Sequence, residues 1–285
     1  MAPHPARVPD FVIIGAIKAA TTWVAHQLRQ HPGLYLPGPE PHYFSTEYHR
    51  GPGWYGSLFA AAAPAQKIGE KSADYLSHPQ APARLAMKLP EARLIVLLRN
   101  PVDRAYSDYC MLFRRGTVTG DPERYLRTAN PEDRRFLDNG LYGQHLARYL
   151  DHFPSEQICT LLHEDVTRAP EQVIAAVSQH IGVPLTMAPA EMATRKNDST
   201  TPILPLPVRR VARPFKQMVS GYRDRPWFRA IRDTIARPIR YPPLSDDLRA
   251  RLTEYYLSDV ENLGRLLGRD LTPWLVAPEA RTSRV

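Results

Sequence analysis

The sequence predicts a three-layer α/β domain, a central and mostly parallel sheet flanked by helices. Three observations carry this. The apolar runs Phe11–Gly15 (FVIIG), Arg93–Leu98 (RLIVLL) and Gln157–Leu162 (QICTLL) are continuous rather than alternating, as strands buried on both faces are. Each run is followed by a stretch with helical periodicity, and strands that alternate with helices pair in parallel. Such sheets bind ligands beyond the carboxyl ends of their strands, so the residues just after each run are the functional candidates.

Taken in order, FVIIG leads into a helix over Thr21–Gln30 that His31-Pro32-Gly33 stops. A helical pattern over Ala81–Leu89 precedes RLIVLL, and another helix starts near Pro101. QICTLL is followed by a helix over Pro170–Ile181. The last helix, Leu244–Leu267, ends at Gly268, and Trp274 is expected to tuck back onto the domain. A Pro-rich stretch at about 201–243 interrupts the pattern. Within it Phe215, Met218, Val219 and Tyr222 keep helical spacing, as do Trp227, Ile231 and Ile235, which predicts two short amphipathic basic helices. We read residues 1–285 as a single domain in which about 201–243 is a lid or an acceptor-side insertion.

A chain of 285 residues can bury a substantial core, and 43% hydrophobic with 23% charged residues fits a soluble globular protein. No apolar window approaches 18 residues and Lys18 cuts VIIGAI short, so neither a membrane span nor a signal peptide is expected, and the expected location is cytoplasmic. Cys110 and Cys159 stand far apart without metal-ligand spacing and read as buried thiols. The net charge of +8 is local: residues 201–243 hold ten Lys/Arg against Asp224 and Asp233, and the remainder is balanced. A nucleic-acid partner is therefore not expected. The basic segment reads as a solvated lid, as a wall for an anionic acceptor, or as a peripheral membrane contact through residues 209–240, where Trp227, Phe228 and Ile231 suit an anionic lipid surface.

The residues that carry chemistry begin at GAIKAATT. A loop between a buried strand and a helix offers unpaired backbone N–H groups and the positive end of the helix dipole to an anion. Lys18 adds a point charge, and Thr21 and Thr22 add hydroxyl donors. The plain alternative is an ordinary turn with a solvated lysine. A nucleotide hydrolase would next need an apolar strand ending in a Mg²⁺-binding acid. The strand LIVLLRNP ends instead in Arg99, and Ser107 follows eight residues on. Two cationic centres without a metal ligand suit a ligand with two separate anionic groups.

GAIKAATTW, PEPHYF, GPGWY, GEKSADYL, LIVLLRNPVDRAYSDY, NGLY and LLGRDLTPW together resemble the sulfotransferases that use 3′-phosphoadenosine 5′-phosphosulfate (PAPS), a P-loop-like fold. Within that family the chain is similar to the branch of heparan sulfate 3-O- and N-sulfotransferases and their bacterial relatives. The likeness covers about residues 10–200 and the C-terminal helix. It implies that Lys18, Ala20, Thr21, Thr22 and Trp23 cradle the 5′-phosphosulfate and that Arg99 and Ser107 bind the 3′-phosphate, with Tyr142 of NGLY beside it. Ala20 stands where the family usually has Gly. Arg195-Lys196-Asn197 resembles the Arg-Lys-Gly that closes over the 3′-phosphate in cytosolic members, with Asn in place of Gly.

The same resemblance makes Glu40 of PEPHYF the base for the acceptor hydroxyl, His42 its assistant, and Lys71 of GEKSADYL a cation near the reaction centre. Read without the resemblance, Glu40 is a solvated loop carboxylate, Lys71 a partner of Glu70, and GPGWY a turn packing two aromatic rings. The expected activity is sulfuryl transfer from PAPS to a hydroxyl, or an amine, of a small-molecule or carbohydrate acceptor, with 3′,5′-ADP as product and no metal, in the manner of bacterial secondary metabolism. The alternatives are a P-loop kinase or NTPase with a degenerate loop, and an inactive polyanion- or membrane-binding relative.

Overall fold

A computed structural model describes residues 7–128, 134–184, 225 and 238–276. Five strands, β1 (Phe11–Gly15), β2 (Leu34–Tyr35), β3 (Lys67–Lys71), β4 (Arg93–Leu98) and β5 (Ile158–Leu162), form one sheet in the order β2-β3-β1-β4-β5. Every pairing is parallel, with Phe11 opposite Gly69 on one side and Arg93 on the other, and Leu94 opposite Ile158. The long apolar runs are therefore strands covered on both faces: all five residues of β1 are buried, as are the last five of β4.

The helices are α1 (Thr21–Arg29), α2 (Gly51–Ser57), α3 (Ala81–Lys88), α4 (Pro101–Arg115), α5 (Glu123–Leu126), α6 (Arg135–Asp138), α7 (Tyr142–Leu150), α8 (His163–Arg168), α9 (Pro170–Ile181) and α10 (Asp246–Leu267). The chain lays β2 and β3 to one side of β1 and then returns past it to lay β4 and β5 on the other. That reversal makes the carboxyl ends of β1 and β4 the natural crevice of the sheet.

Three local devices hold the crevice. Asn100 caps α4, its Oδ1 accepting from Val102 N at 2.9 Å and Asp103 N at 3.2 Å, while its Nδ2 donates to Trp274 O at 2.9 Å. One side chain thus starts α4 and ties down the C-terminal Trp274, whose ring is buried as expected. Asp259 of α10 accepts from Gly143 N at 2.9 Å and Gln144 N at 3.0 Å, satisfying the first turn of α7. Gly15, at φ 156°, ends β1 where a Cβ would come 2.7 Å from Leu76 Cβ, so the chain turns into the loop only with glycine there.

Two expectations change in detail. GPGWY is the short helix α2 rather than a turn, with Pro at its start and Tyr55 buried. The two-residue strand β2 was not foreseen, since LY carries no periodicity. The basic segment at 201–243 lies outside the described residues except for Arg225 and 238–243.

Candidate functional site

The loop from Gly15 to Ala20 leaves β1 and delivers the chain into α1 with Lys18 and Ala20 both at φ 70°. α1 has no side-chain cap and no acid in its first turn. Its leading N–H groups and the positive end of its dipole are thus left for an anion. Lys18 is half-buried, and burial is the main force lowering its pKa; Arg99 and Arg115 act in the same direction and Asp108 opposes them. A cation whose charged form is disfavoured gains from an arriving anion.

Arg99 follows β4 directly, and its Nη1 donates to Lys18 O at 3.4 Å. The two centres read from separate motifs are therefore neighbours across β1 and β4. Ser107 lies half-buried in α4, two turns beyond the Asn100 cap. Thr21 and Trp23 are mostly enclosed in α1, and Thr22 is half-buried at the mouth of the loop. Tyr142 opens α7 fully buried; its hydroxyl has no hydrogen-bond partner among the described residues, and burial pushes it up to about 12. Arg195 and Lys196 lie outside the described residues.

The second half of the site hangs on β3. Lys71 is its last residue and only 7% exposed; its Nζ donates to Glu40 Oε1 at 2.5 Å and to Thr22 Oγ1 at 3.2 Å. Glu40 Oε2 accepts from Ala73 N at 2.9 Å. Glu40 is thus neither a solvated carboxylate nor remote from the start of α1, since a single ammonium links it to Thr22. Glu70 cannot be the partner of Lys71, because successive strand residues face opposite sides of the sheet. It is fully buried and accepts from Tyr55, from Tyr75 at 2.5 Å and from Ser72 at 2.9 Å.

That buried carboxyl organises the loop that carries Glu40 and His42. Tyr75 Oη also accepts from Phe44 N at 3.1 Å, and Ser72 Oγ from His42 N at 3.0 Å. Tyr43 stacks on Tyr55 with ring centroids 4.3 Å apart, which joins the same loop to α2. His42 Nδ1 lies 2.7 Å from Asp74 Oδ1, and Ser45 Oγ donates to Asp74 Oδ2 at 2.6 Å. This contact is the largest cause raising the His42 pKa, and its converse helps lower that of Asp74 against the effect of burial. Glu40, His42 and Asp74 bring ligand atoms within 4.8 Å of one another. The cation among the described residues that meets Glu40 is the Lys71 ammonium, and Asp74 holds His42, so these groups already satisfy one another.

Sequence reasoning missed Asp74, Ser45, Ser72 and the structural role of Glu70. It also missed His163, which follows β5 and whose pKa is pushed down to about 4, by burial first and Arg99 second. Its place just after the third apolar run was the available signal.

A model of the Sulfotransferase family matches residues 54–187, the span from α2 through α9 that includes Lys71, Arg99 and Ser107. That match takes in just under half of the chain, which over this span is similar to sulfotransferases. It is 32% identical over 182 residues to heparan sulfate glucosamine 3-O-sulfotransferase 3B1 of Mus musculus, covering 62% of this chain and 47% of that one. It is also 32% identical over 185 residues to heparan sulfate glucosamine 3-O-sulfotransferase 6 of Homo sapiens, covering 64% of this chain and 54% of that one. The chain spans about half the length of these relatives. Among solved structures it resembles a sulfotransferase from Alicyclobacillus acidocaldarius, with a TM-score of 0.70 and 26% identity over 94% of this chain and 99% of that one. The parallel sheet and its helices thus share the P-loop-like fold of that sulfotransferase. No helix among the described residues is long and apolar enough to cross a membrane.

Proposed function

We propose that this sulfotransferase moves a sulfuryl group from PAPS to a hydroxyl of a small-molecule or glycoside acceptor. The observation that carries the reading is Arg99 at the end of β4, donating to the main chain of the Lys18 loop. A nucleotide hydrolase needs a metal-binding acid at that place; here a second cation stands beside the first. The residues fit a donor with two anionic ends: the uncapped, acid-free start of α1 with Lys18 and Thr22 for a phosphosulfate, and Arg99 with Ser107 for a 3′-phosphate.

When bound, PAPS supplies an electrophilic sulfur and a phosphate leaving group. Lys18 neutralises charge that grows on the oxygen bridging sulfur and phosphorus. Glu40 accepts the acceptor's proton while the new S–O bond forms and the bridging S–O bond breaks in line. Lys71 is shared between Glu40 and Thr22, so an anion on the donor loop competes with Glu40 for the ammonium and frees Oε1 for that proton. Arg195 and Lys196 are proposed to close over the 3′-phosphate, and Tyr142 to back it. No protein group in this scheme calls for a metal ion, and a cytoplasmic enzyme acting on a small metabolite is its setting.

Incubation with ³⁵S-labelled PAPS and a panel of small alcohols, phenols and glycosides tests the activity, with labelled product and 3′,5′-ADP expected in equal amounts. Titration with 3′,5′-ADP and with ADP·Mg²⁺ tests the site. Tighter binding of ADP·Mg²⁺ would overturn the reading in favour of a kinase or NTPase.

A further inference from the structure

His42 is held more firmly than a side chain 41% exposed needs to be for packing. Its backbone sits at φ 53°, a conformation a residue with a Cβ adopts only at a cost and keeps only where its surroundings dictate it. Four contacts supply that constraint. His42 N donates to Ser72 Oγ at 3.0 Å, its carbonyl accepts from Ser45 N at 3.2 Å and Glu47 N at 3.0 Å, and its ring meets Asp74 at 2.7 Å. Asp74 is itself oriented by Ser45. An ionised carboxylate can only accept, so Nδ1 carries the proton and donates it to Asp74. The neutral ring then presents Nε2 as a bare acceptor, and Nε2 has no partner among the described residues.

We propose that Asp74 is a positioning residue for sulfuryl transfer: by accepting from Nδ1 it fixes the orientation and tautomer of His42, so that Nε2 accepts a hydrogen bond from a second donor group of the incoming acceptor and the reacting hydroxyl is left to point its one proton at Glu40. The proposal rests on the reading of Glu40 as base. Glu40 has one oxygen on Lys71 and the other on Ala73 N, so it receives the proton best when a second contact to the acceptor molecule aligns the reacting hydroxyl. The proton goes to Glu40 as the S–O bond forms, and the imidazole is regenerated unchanged. The charged groups that face His42 are Asp74 and Glu70 of the β3 side and Glu40 of its own loop, all acidic, with Lys71 reaching it only across Glu40. Protonation of His42 removes the Nε2 acceptor, so activity rises with pH through its titration.

Asp74→Asn and Asp74→Glu in the full chain test this through two readouts. Nitrogen NMR of the His42 ring, which needs no turnover, should show the Nδ1–H tautomer in the wild-type protein and a mixture with a lower pKa in Asp74→Asn. In ³⁵S transfer, Asp74→Asn should lower kcat by up to about 100-fold, the cost of a misplaced contact, move the acid limb of the pH profile downward and leave 3′,5′-ADP affinity unchanged, while Asp74→Glu recovers part of kcat. An Nε2–H tautomer in the wild type, or an Asp74→Asn enzyme with unaltered kcat and pH limb, would overturn the proposal. If the wild-type protein transfers no sulfate while the tautomer is as expected, the failure lies in the proposed activity and the positioning by Asp74 stands.

Discussion

Lys71 Nζ stands 2.5 Å from Glu40 Oε1 and 3.2 Å from Thr22 Oγ1, so one buried ammonium joins the carboxylate proposed as base to the loop proposed to hold the donor. The link is made by the parallel sheet: β3 ends beside β1, which places Lys71 next to the chain leaving Gly15. With Lys71 only 7% exposed, its charge is compensated locally rather than by water.

Glu40→Gln should therefore separate chemistry from donor binding. It removes the proton acceptor and leaves Lys71 with Thr22, so kcat is expected to fall about 10²- to 10⁴-fold. The affinity for 3′,5′-ADP, measured by calorimetry, should stay within a few-fold or rise as Lys71 is released. A matching loss of nucleotide affinity would show that Glu40 shapes the donor site instead.

Arg99→Ala should strip the 3′-phosphate from recognition. A hydrogen bond to a charged group contributes about 1.5–3 kcal/mol, which corresponds to a loss of about 10- to 150-fold in 3′,5′-ADP affinity. Binding of 5′-AMP, which lacks the 3′-phosphate, should change little. Equal losses for the two nucleotides would place Arg99 in the support of the Lys18 loop, whose carbonyl it already meets at 3.4 Å.

The side of the site proposed to hold the donor was legible as a cluster because its residues follow apolar strands: GAIKAATT comes after β1 and RNP after β4, and the parallel sheet makes them neighbours. The side proposed to meet the acceptor was harder to read. Glu40, His42, Lys71 and Asp74 come from a Pro-rich loop and the far end of a strand whose KIGEK sequence has no apolar run, since its buried polar groups satisfy one another. Adjacency in sequence offers Glu70 as an alternative partner for Lys71, whereas strand alternation sends the two to opposite faces and only the tertiary fold brings Glu40 to the lysine. The helical character of GPGWY was hidden by its two glycines and proline.

Ala20→Gly should stabilise the protein. Ala20 lies at φ 70° and ψ 14°, which costs an L-residue about 1–2 kcal/mol, against roughly 0.5–1 kcal/mol of extra chain entropy lost by glycine. A net gain of up to about 1.5 kcal/mol, at about 2–4 °C per kcal/mol, should raise Tm by up to about 6 °C in calorimetry. Donor affinity should hold or improve, because the helix start keeps its N–H groups and loses a Cβ. A lower Tm would mean that the Ala20 methyl contributes packing that outweighs its backbone cost.

Glu70→Gln should change how stability depends on pH. Burial pushes the Glu70 carboxyl up to about 7, against the hydrogen bonds from Tyr55, Tyr75 and Ser72. The folded protein therefore holds this proton over a range in which the unfolded chain, near its ordinary value of 4.5, has released it. The contribution of the protonated group is fully present below about 4.5 and is lost as pH rises toward 7, by on the order of 3 kcal/mol at one pH unit per 1.36 kcal/mol. Glutamine stays neutral throughout. Unfolding in urea at pH 5 and at pH 7.5 should show Glu70→Gln well below the wild type at the lower pH, with the gap narrowing or reversing at the higher one. A gap independent of pH would mean that Glu70 does not change protonation on folding in this range. In that case its carboxylate is ionised in the core, held by the three hydroxyl donors alone.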